Sequence, residues 1–253
     1  MSRWAGALWW ASAVTLMPLM LPLALHTRRT ALRLPPAVGP EQGVAGAGFA
    51  GEPLRLLVIG ESTVAGVGVD LLERALPGQL ANALSRRLER PVAWRACGEN
   101  GITAVEACER LLPQVADEAP DLVVMAFGVN DTTHFTSRSR WRQALEGLGR
   151  PFLQRGACVA FSAVPPLGHF RALPWPLRLL LGWRARLMDR VLAETTSPLG
   201  ALHCTATLAM RPDYLAIDGY HPSELGCEVW AGLLADRLWL EMVPQPPLAA
   251  AAG

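Results

Sequence analysis

Three short blocks far apart in the chain, Gly60-Glu61-Ser62, Gly128-Val129-Asn130-Asp131 and Asp218-Gly219-Tyr220-His221, each hold a residue type that ester cleavage needs. Ser62 follows an apolar run and a glycine, which puts its hydroxyl at the rim of a sheet with backbone N–H groups beside it, the setting of a nucleophile. Asp218 and His221 are three residues apart, just ahead of a helix predicted to start near Pro222. That spacing lets the carboxylate take the Nδ1 proton while Nε2 faces Ser62, so that the imidazole can accept the serine proton and return it to the leaving group. Asn130 follows a strand and a flexible glycine, and its amide is a candidate donor to a developing oxyanion. The N–H of Gly101, in Gly98-Glu99-Asn100-Gly101-Ile102-Thr103, is a second candidate, because a missing side chain permits close approach. Taken singly, each block also reads as plain local structure: Ser62 as a turn or helix cap, Asp218 to Pro222 as a turn before a helix, Gly98 and Gly101 as turn residues. Their joint presence in this order is what points to chemistry. Two competing motifs fail on inspection. Val64 stands where G-x-S-x-G needs its last glycine, and Val67 follows Gly66 where a P-loop needs lysine.

These side chains need a scaffold, and from Leu54 onward the chain alternates apolar strands with amphipathic helices. Strands are expected at Leu54 to Ile59, Val92 to Ala96, Asp121 to Phe127, Ala157 to Val164 and Ala201 to Cys204. Helices are expected at Gly78 to Glu89, Ala104 to Glu118, Ser139 to Leu153, Arg178 to Glu194 and Glu224 to Leu240. Strands separated by helices imply parallel crossovers, hence a three-layer α/β/α sandwich with a five-stranded parallel sheet. Ligands in such sheets bind beyond the carboxyl ends of the strands, where Ser62 and Asn130 fall. A proline-stiffened apolar loop from Pro165 to Leu177 is placed to shape an acyl pocket or meet a membrane, or simply to pack on its own helix. Arg178, Arg184 and Arg186 read as a solvated helix face or as contacts for anionic head groups.

With these blocks in order over roughly Leu54 to Leu240, the chain resembles the SGNH (GDSL-type) hydrolase superfamily, whose members carry a Ser-Asp-His triad on a flavodoxin-like sheet. The resemblance implies Ser62 as nucleophile and first oxyanion donor through its own N–H, Gly101 as second donor, Asn130 as third, and Asp218 with His221 as the last block. Gly60-Glu61-Ser62 departs from the family's Gly-Asp-Ser, and the longer carboxylate is expected to shift neighbouring hydrogen bonds. A serine ester hydrolase working without metal or cofactor on a small ester or lipid is the reading that follows. An acyltransferase on the same site and a catalytically silent ligand-binding module are the alternatives.

The whole chain sets the outer limits. At 253 residues it suits one catalytic domain, and a net charge of +1 with scattered arginines offers no nucleic-acid footprint. Five cysteines with no C-x-x-C pair, and histidines lacking H-E-x-x-H, favour neither a disulfide framework nor a metal centre. Trp4 to Leu25 contains no charged residue, and as a helix it would reach about 33 Å, enough to cross a bilayer core. Three readings are open for residues 1–30: a retained membrane anchor, a cleaved signal peptide, or a packed or interfacial helix. For an anchor, Arg28, Arg29 and Arg33 outnumber Arg3 and place the downstream domain on the cytoplasmic side; for a signal peptide the domain is exported. Residues 31–53, rich in proline and glycine, read as a linker, 54–243 as the catalytic domain, and 244–253 as a disordered tail.

Overall fold

Runs of buried aliphatic residues, bounded by glycine and proline, build a six-stranded sheet in the computed structural model, which describes residues 3–242. The strands are β1 (Gln42–Ala45), β2 (Leu54–Gly60), β3 (Val92–Gly98), β4 (Leu122–Ala126), β5 (Cys158–Ser162) and β6 (Leu202–Cys204), in spatial order β1-β3-β2-β4-β5-β6. From β2 to β6 all pairings are parallel. Counted in chain order those five lie 2-1-3-4-5, the flavodoxin arrangement, whose crevice opens between the first and third of them. Alternation along each strand feeds two cores. Leu57, Ile59, Val123, Met125 and Phe161 point to one face, while Leu56, Val58, Leu122, Val124 and Ala160 point to the other. The first face is covered by α3 (Ala104–Arg110), α5 (Arg138–Leu153) and α6 (Trp175–Leu199), the second by α2 (Leu76–Leu88) and α7 (Glu224–Met242). A one-turn helix, α4 (Val129–Thr133), follows β4.

Two expectations change. The sheet has six strands rather than five, and the extra one comes from the segment read as a linker: Gln42–Ala45 pairs antiparallel with Arg95 to Val92 of β3. Glycine and glutamine give that segment little strand character of its own, so its conformation comes from the partner edge. The helix expected from Ala104 to Glu118 stops at Arg110 and continues as a 3-10 turn over Leu112–Val115, where Pro113 has no N–H to extend the ladder. The tail from residue 244 onward lies outside the described residues.

The apolar N-terminal segment forms α1 (Arg3–Thr30), a helix long and apolar enough to cross a membrane. One stripe of it packs on the domain. Trp9 is fully buried and donates from Nε1 to Leu180 O at 2.9 Å, while Met20 enters the first core with Leu23 and Ala24 beside it. Arg184, itself buried, lies over the rings of Trp9, Trp10 and Phe135 at 4.6, 5.5 and 5.5 Å. Its guanidinium donates to the carbonyls of Thr132 and Thr136. Desolvation lowers the Arg184 pKa to about 10, which still leaves it charged at neutral pH.

Candidate active site

Ser62 sits one residue beyond Glu61 in a tight turn that closes β2, with Val64 N and Ala65 N donating to Glu61 O and Val67 N donating to Ser62 O. Gly60 is required there: a Cβ would lie 2.5 Å from Ala126 O on β4. The Ser62 N–H donates no hydrogen bond within the described residues, and neither does that of Gly101, whose φ of 86° turns the chain sharply ahead of α3. Both amides are therefore free for an incoming acceptor.

The last block folds into a loop that closes on itself. Ala216 N donates to His221 O at 2.8 Å, Ser223 N donates to Tyr214 O, and Asp218 Oδ1 accepts the N–H groups of Tyr220 and His221 at 2.9 and 3.0 Å. Its other oxygen, Oδ2, meets His221 Nδ1 at 2.6 Å. Burial works to raise the Asp218 pKa, but the His221 ring and the two backbone donors outweigh it, and the carboxyl is held below its ordinary value. An ionised Asp218 at Nδ1 leaves Nε2 as the free ring nitrogen. Gly68 seats this loop against the Ser62 turn. Its φ is 97°, and a Cβ there would come within 2.8 Å of Pro222 O and 3.2 Å of His221 Cβ. Tyr220 stacks edge-on against both His221 and Phe170. Burial, with the charges of Glu61 and Asp218, raises its phenol pKa, so it stays protonated.

Glu61 and Asp131 tie the remaining pieces together, and sequence reasoning assigned neither this task. The Glu61 carboxylate accepts the Val129 N–H on Oε1 and the Asn130 N–H on Oε2, each at 3.0 Å, fastening the start of α4 to the Ser62 turn. Desolvation pushes its pKa up to about 8 against the pull of those donors. Asp131, fully buried, accepts the Ala104 N–H at 2.9 Å, one of the donors left open at the start of α3. Its pKa rises to about 6, again chiefly through burial. Asn130 Nδ2 donates to Ile102 O at 3.0 Å, which fixes the orientation of the amide and leaves its second N–H available. The Gly101 and Asn130 loops are thus locked side by side.

Ser62 and His221 line one cleft at the carboxyl ends of β4 and β5. Its walls are mostly apolar. Pro165 and Phe170 come from the loop expected to supply them and Trp230 from the expected last helix, whereas Leu208 and Met210 come from a segment that carried no local signal. Within the described residues the Ser62 hydroxyl makes no hydrogen bond to the His221 ring. The structure brings Asp218 to His221, Asn130 to the Gly101 loop, and Ser62 and His221 to one cleft. Catalytic hydrogen bonds are often long in the absence of substrate and tighten only once it binds.

A model of the GDSL-like lipase/acylhydrolase family matches residues 58–229, a range that includes every block described above. A curated GDSL-like esterase from Mycobacterium tuberculosis is 30% identical over 192 residues, which take in 72% of this chain and 60% of that protein. The chain therefore spans less than two thirds of the relative's length. Among solved structures, a lipase/acylhydrolase from Enterococcus faecalis is 23% identical, with 76% of this chain and 98% of that one covered and a TM-score of 0.57. The psychrotrophic esterase EstA from Pseudoalteromonas sp. is 16% identical over 74% of this chain and 99% of its own, with a TM-score of 0.58. At these identities the structural likeness is one of fold.

Proposed function

The chain belongs to the GDSL-like lipase/acylhydrolase family, and on that premise we propose that it cleaves carboxylic esters through an acyl-enzyme formed on Ser62. In this reading Ser62 Oγ attacks the ester carbonyl carbon while its proton passes to His221 Nε2, and Asp218 holds the ring by Nδ1 and stabilises the imidazolium. The oxyanion accepts from the N–H groups of Ser62 and Gly101 and from Asn130 Nδ2, each such donor being worth about 3 kcal/mol of barrier. Collapse breaks the carbon–alcohol oxygen bond as His221 returns the proton to the departing alkoxide. Water then repeats the sequence on the acyl-serine and frees the acid. All proton transfers run through these side chains.

The observation that carries this reading is the 2.6 Å Asp218–His221 contact at the edge of an apolar cleft that Ser62 also lines. The apolar walls favour an ester whose acyl part is hydrocarbon, and the long apolar α1 favours a substrate met at a membrane. For a spanning α1, Arg28, Arg29 and Arg33 would place the catalytic domain on the cytoplasmic side. The test is turnover of p-nitrophenyl esters of increasing acyl length by the full chain and by Ser62→Ala. Hydrolysis that peaks above acetyl and disappears with Ser62 is expected. Undiminished hydrolysis by Ser62→Ala refutes the assignment.

A further inference from the structure

Helix α1 is apolar on every side, yet it does not stand free. Trp9 and Ala24, both turned to the domain, are 15 positions apart, so α1 is fastened along about 22 Å of its length. A helix held in this way can cross a bilayer only if the domain beneath it does too. The neighbouring α6 forbids that, carrying Arg178, Arg184, Arg186, Asp189, Arg190 and Glu194.

The opposite face of α1 is uncovered. Trp4, Val14, Leu21 and Leu25 are all exposed, with no charged residue from Trp4 to Leu25. Trp175 and Leu179, in the first turns of α6, the helix against which α1 packs, add to the exposed apolar surface. Its borders are basic. Arg28 and Arg29 end α1, and Arg171 and Arg178 line a hollow that shares Met210 with the ester cleft. None of these four arginines has an ion-pair partner among the described residues, and the Arg178 Nε is buried without a hydrogen-bond acceptor.

We propose that α1 and the first turns of α6 form one membrane-embedded face, with α1 lying in the plane of an anionic phospholipid bilayer rather than across it, so that the ester cleft opens at the lipid surface. The helix is apolar all round because it has two apolar partners, the domain on one side and acyl chains on the other. Free arginines at the rim then meet anionic head groups. A second copy of the chain would instead set arginines against arginines across a two-fold axis. The cleft's lipid substrate rests on the function proposed above, but the docking is read by binding and separates cleanly from it.

The test places an environment-sensitive fluorescent amino acid at Ala7, Val14 or Leu25, three exposed sites spread over about 27 Å of the outer face. The full chain is bound to vesicles of phosphatidylcholine and phosphatidylglycerol carrying a nitroxide at a shallow or a deep acyl carbon. Equal quenching at all three sites, stronger from the shallow nitroxide, is expected. Deep quenching at Val14 with shallow quenching at Ala7 and Leu25 means a spanning helix and overturns the proposal. Dimers without quenching at any site overturn it in favour of a second copy. The double variant Arg171→Gln/Arg178→Gln should weaken binding to these vesicles about thirtyfold, at about 1 kcal/mol per arginine, and leave binding to pure phosphatidylcholine unchanged. Unaltered affinity for the mixed vesicles overturns docking on an anionic surface. Ser62→Ala should bind as the unaltered chain does, whatever becomes of its chemistry.

Discussion

Among the described residues there are two histidine–aspartate pairs, built differently. At the cleft, Asp218 meets His221 Nδ1 at 2.6 Å, comes from three residues away, and is pinned by two backbone N–H groups on its other oxygen. On the α6 side of the sheet, His203 meets Asp189 through Nε2 at 3.0 Å, and the same Asp189 oxygen also takes the Val164 N–H. The second pair joins β6, α6 and the end of β5, elements distant in sequence, and His203 does not line the cleft. One pair leaves the far ring nitrogen free at the mouth of an apolar pocket; the other uses that nitrogen as a fastener. Pairing alone therefore says nothing about catalysis. What matters is which nitrogen the carboxylate holds and what the remaining one can reach.

Swapping the treatment between the pairs gives the largest contrast. His221→Ala should lower kcat about 10⁴-fold with the fold intact, whereas His203→Ala should leave kcat within about twofold and lower stability by about 1–3 kcal/mol, from steady-state kinetics and denaturant melts on both. Next, Asp218→Asn should cost about 10³–10⁴ in kcat by favouring the wrong imidazole tautomer, and Asp189→Asn should show only in the melt. Equal kinetic losses from the two asparagine variants would erase the distinction.

Glu61→Gln should have a smaller kinetic effect, about tenfold in kcat, because the amide presents one acceptor oxygen where the carboxyl presents two, and one of the partly buried Val129 and Asn130 N–H groups loses its partner. It also has a pH signature. A carboxyl whose folded pKa is raised to about 8 binds a proton in the native state that the unfolded chain has released, so Glu61 makes stability fall as pH rises from the ordinary glutamate range toward about 8. Melts of Glu61→Gln across that window should lack this component. Smallest of all, Gly68→Ala should reduce stability by about 1–3 kcal/mol and kcat by a few-fold, by straining a positive φ and pushing the His221 loop away from Ser62.

Much of this was readable from the chain. The buried runs at Leu54 and Asp121, the glycines ending them, and the short Asp218–His221 interval are local signals, and local signals survive folding. β1 was not readable, because Gln42-Gly43-Val44-Ala45 becomes a strand only through the open edge of β3. Nor was the reach of Glu61: a glutamate in place of aspartate announces a longer arm, but not that its two oxygens take the first two N–H groups of α4. The role of Gly68 is equally hidden, since its reason is the backbone of residues 221 and 222 pressed against it. For α1, an uncharged stretch of this length is the same whether lipid lies on all sides or a domain covers one of them. Only the burial of Trp9 and Met20 separates the two.

The most direct measurement of the central claim is covalent labelling of the full chain with a fluorophosphonate, read by intact mass and peptide mapping. The account predicts a single adduct on the Ser62 peptide, absent in Ser62→Ala, strongly slowed in His221→Ala and unchanged in His203→Ala. Labelling that persists in Ser62→Ala, or that slows equally in the two histidine variants, would contradict it.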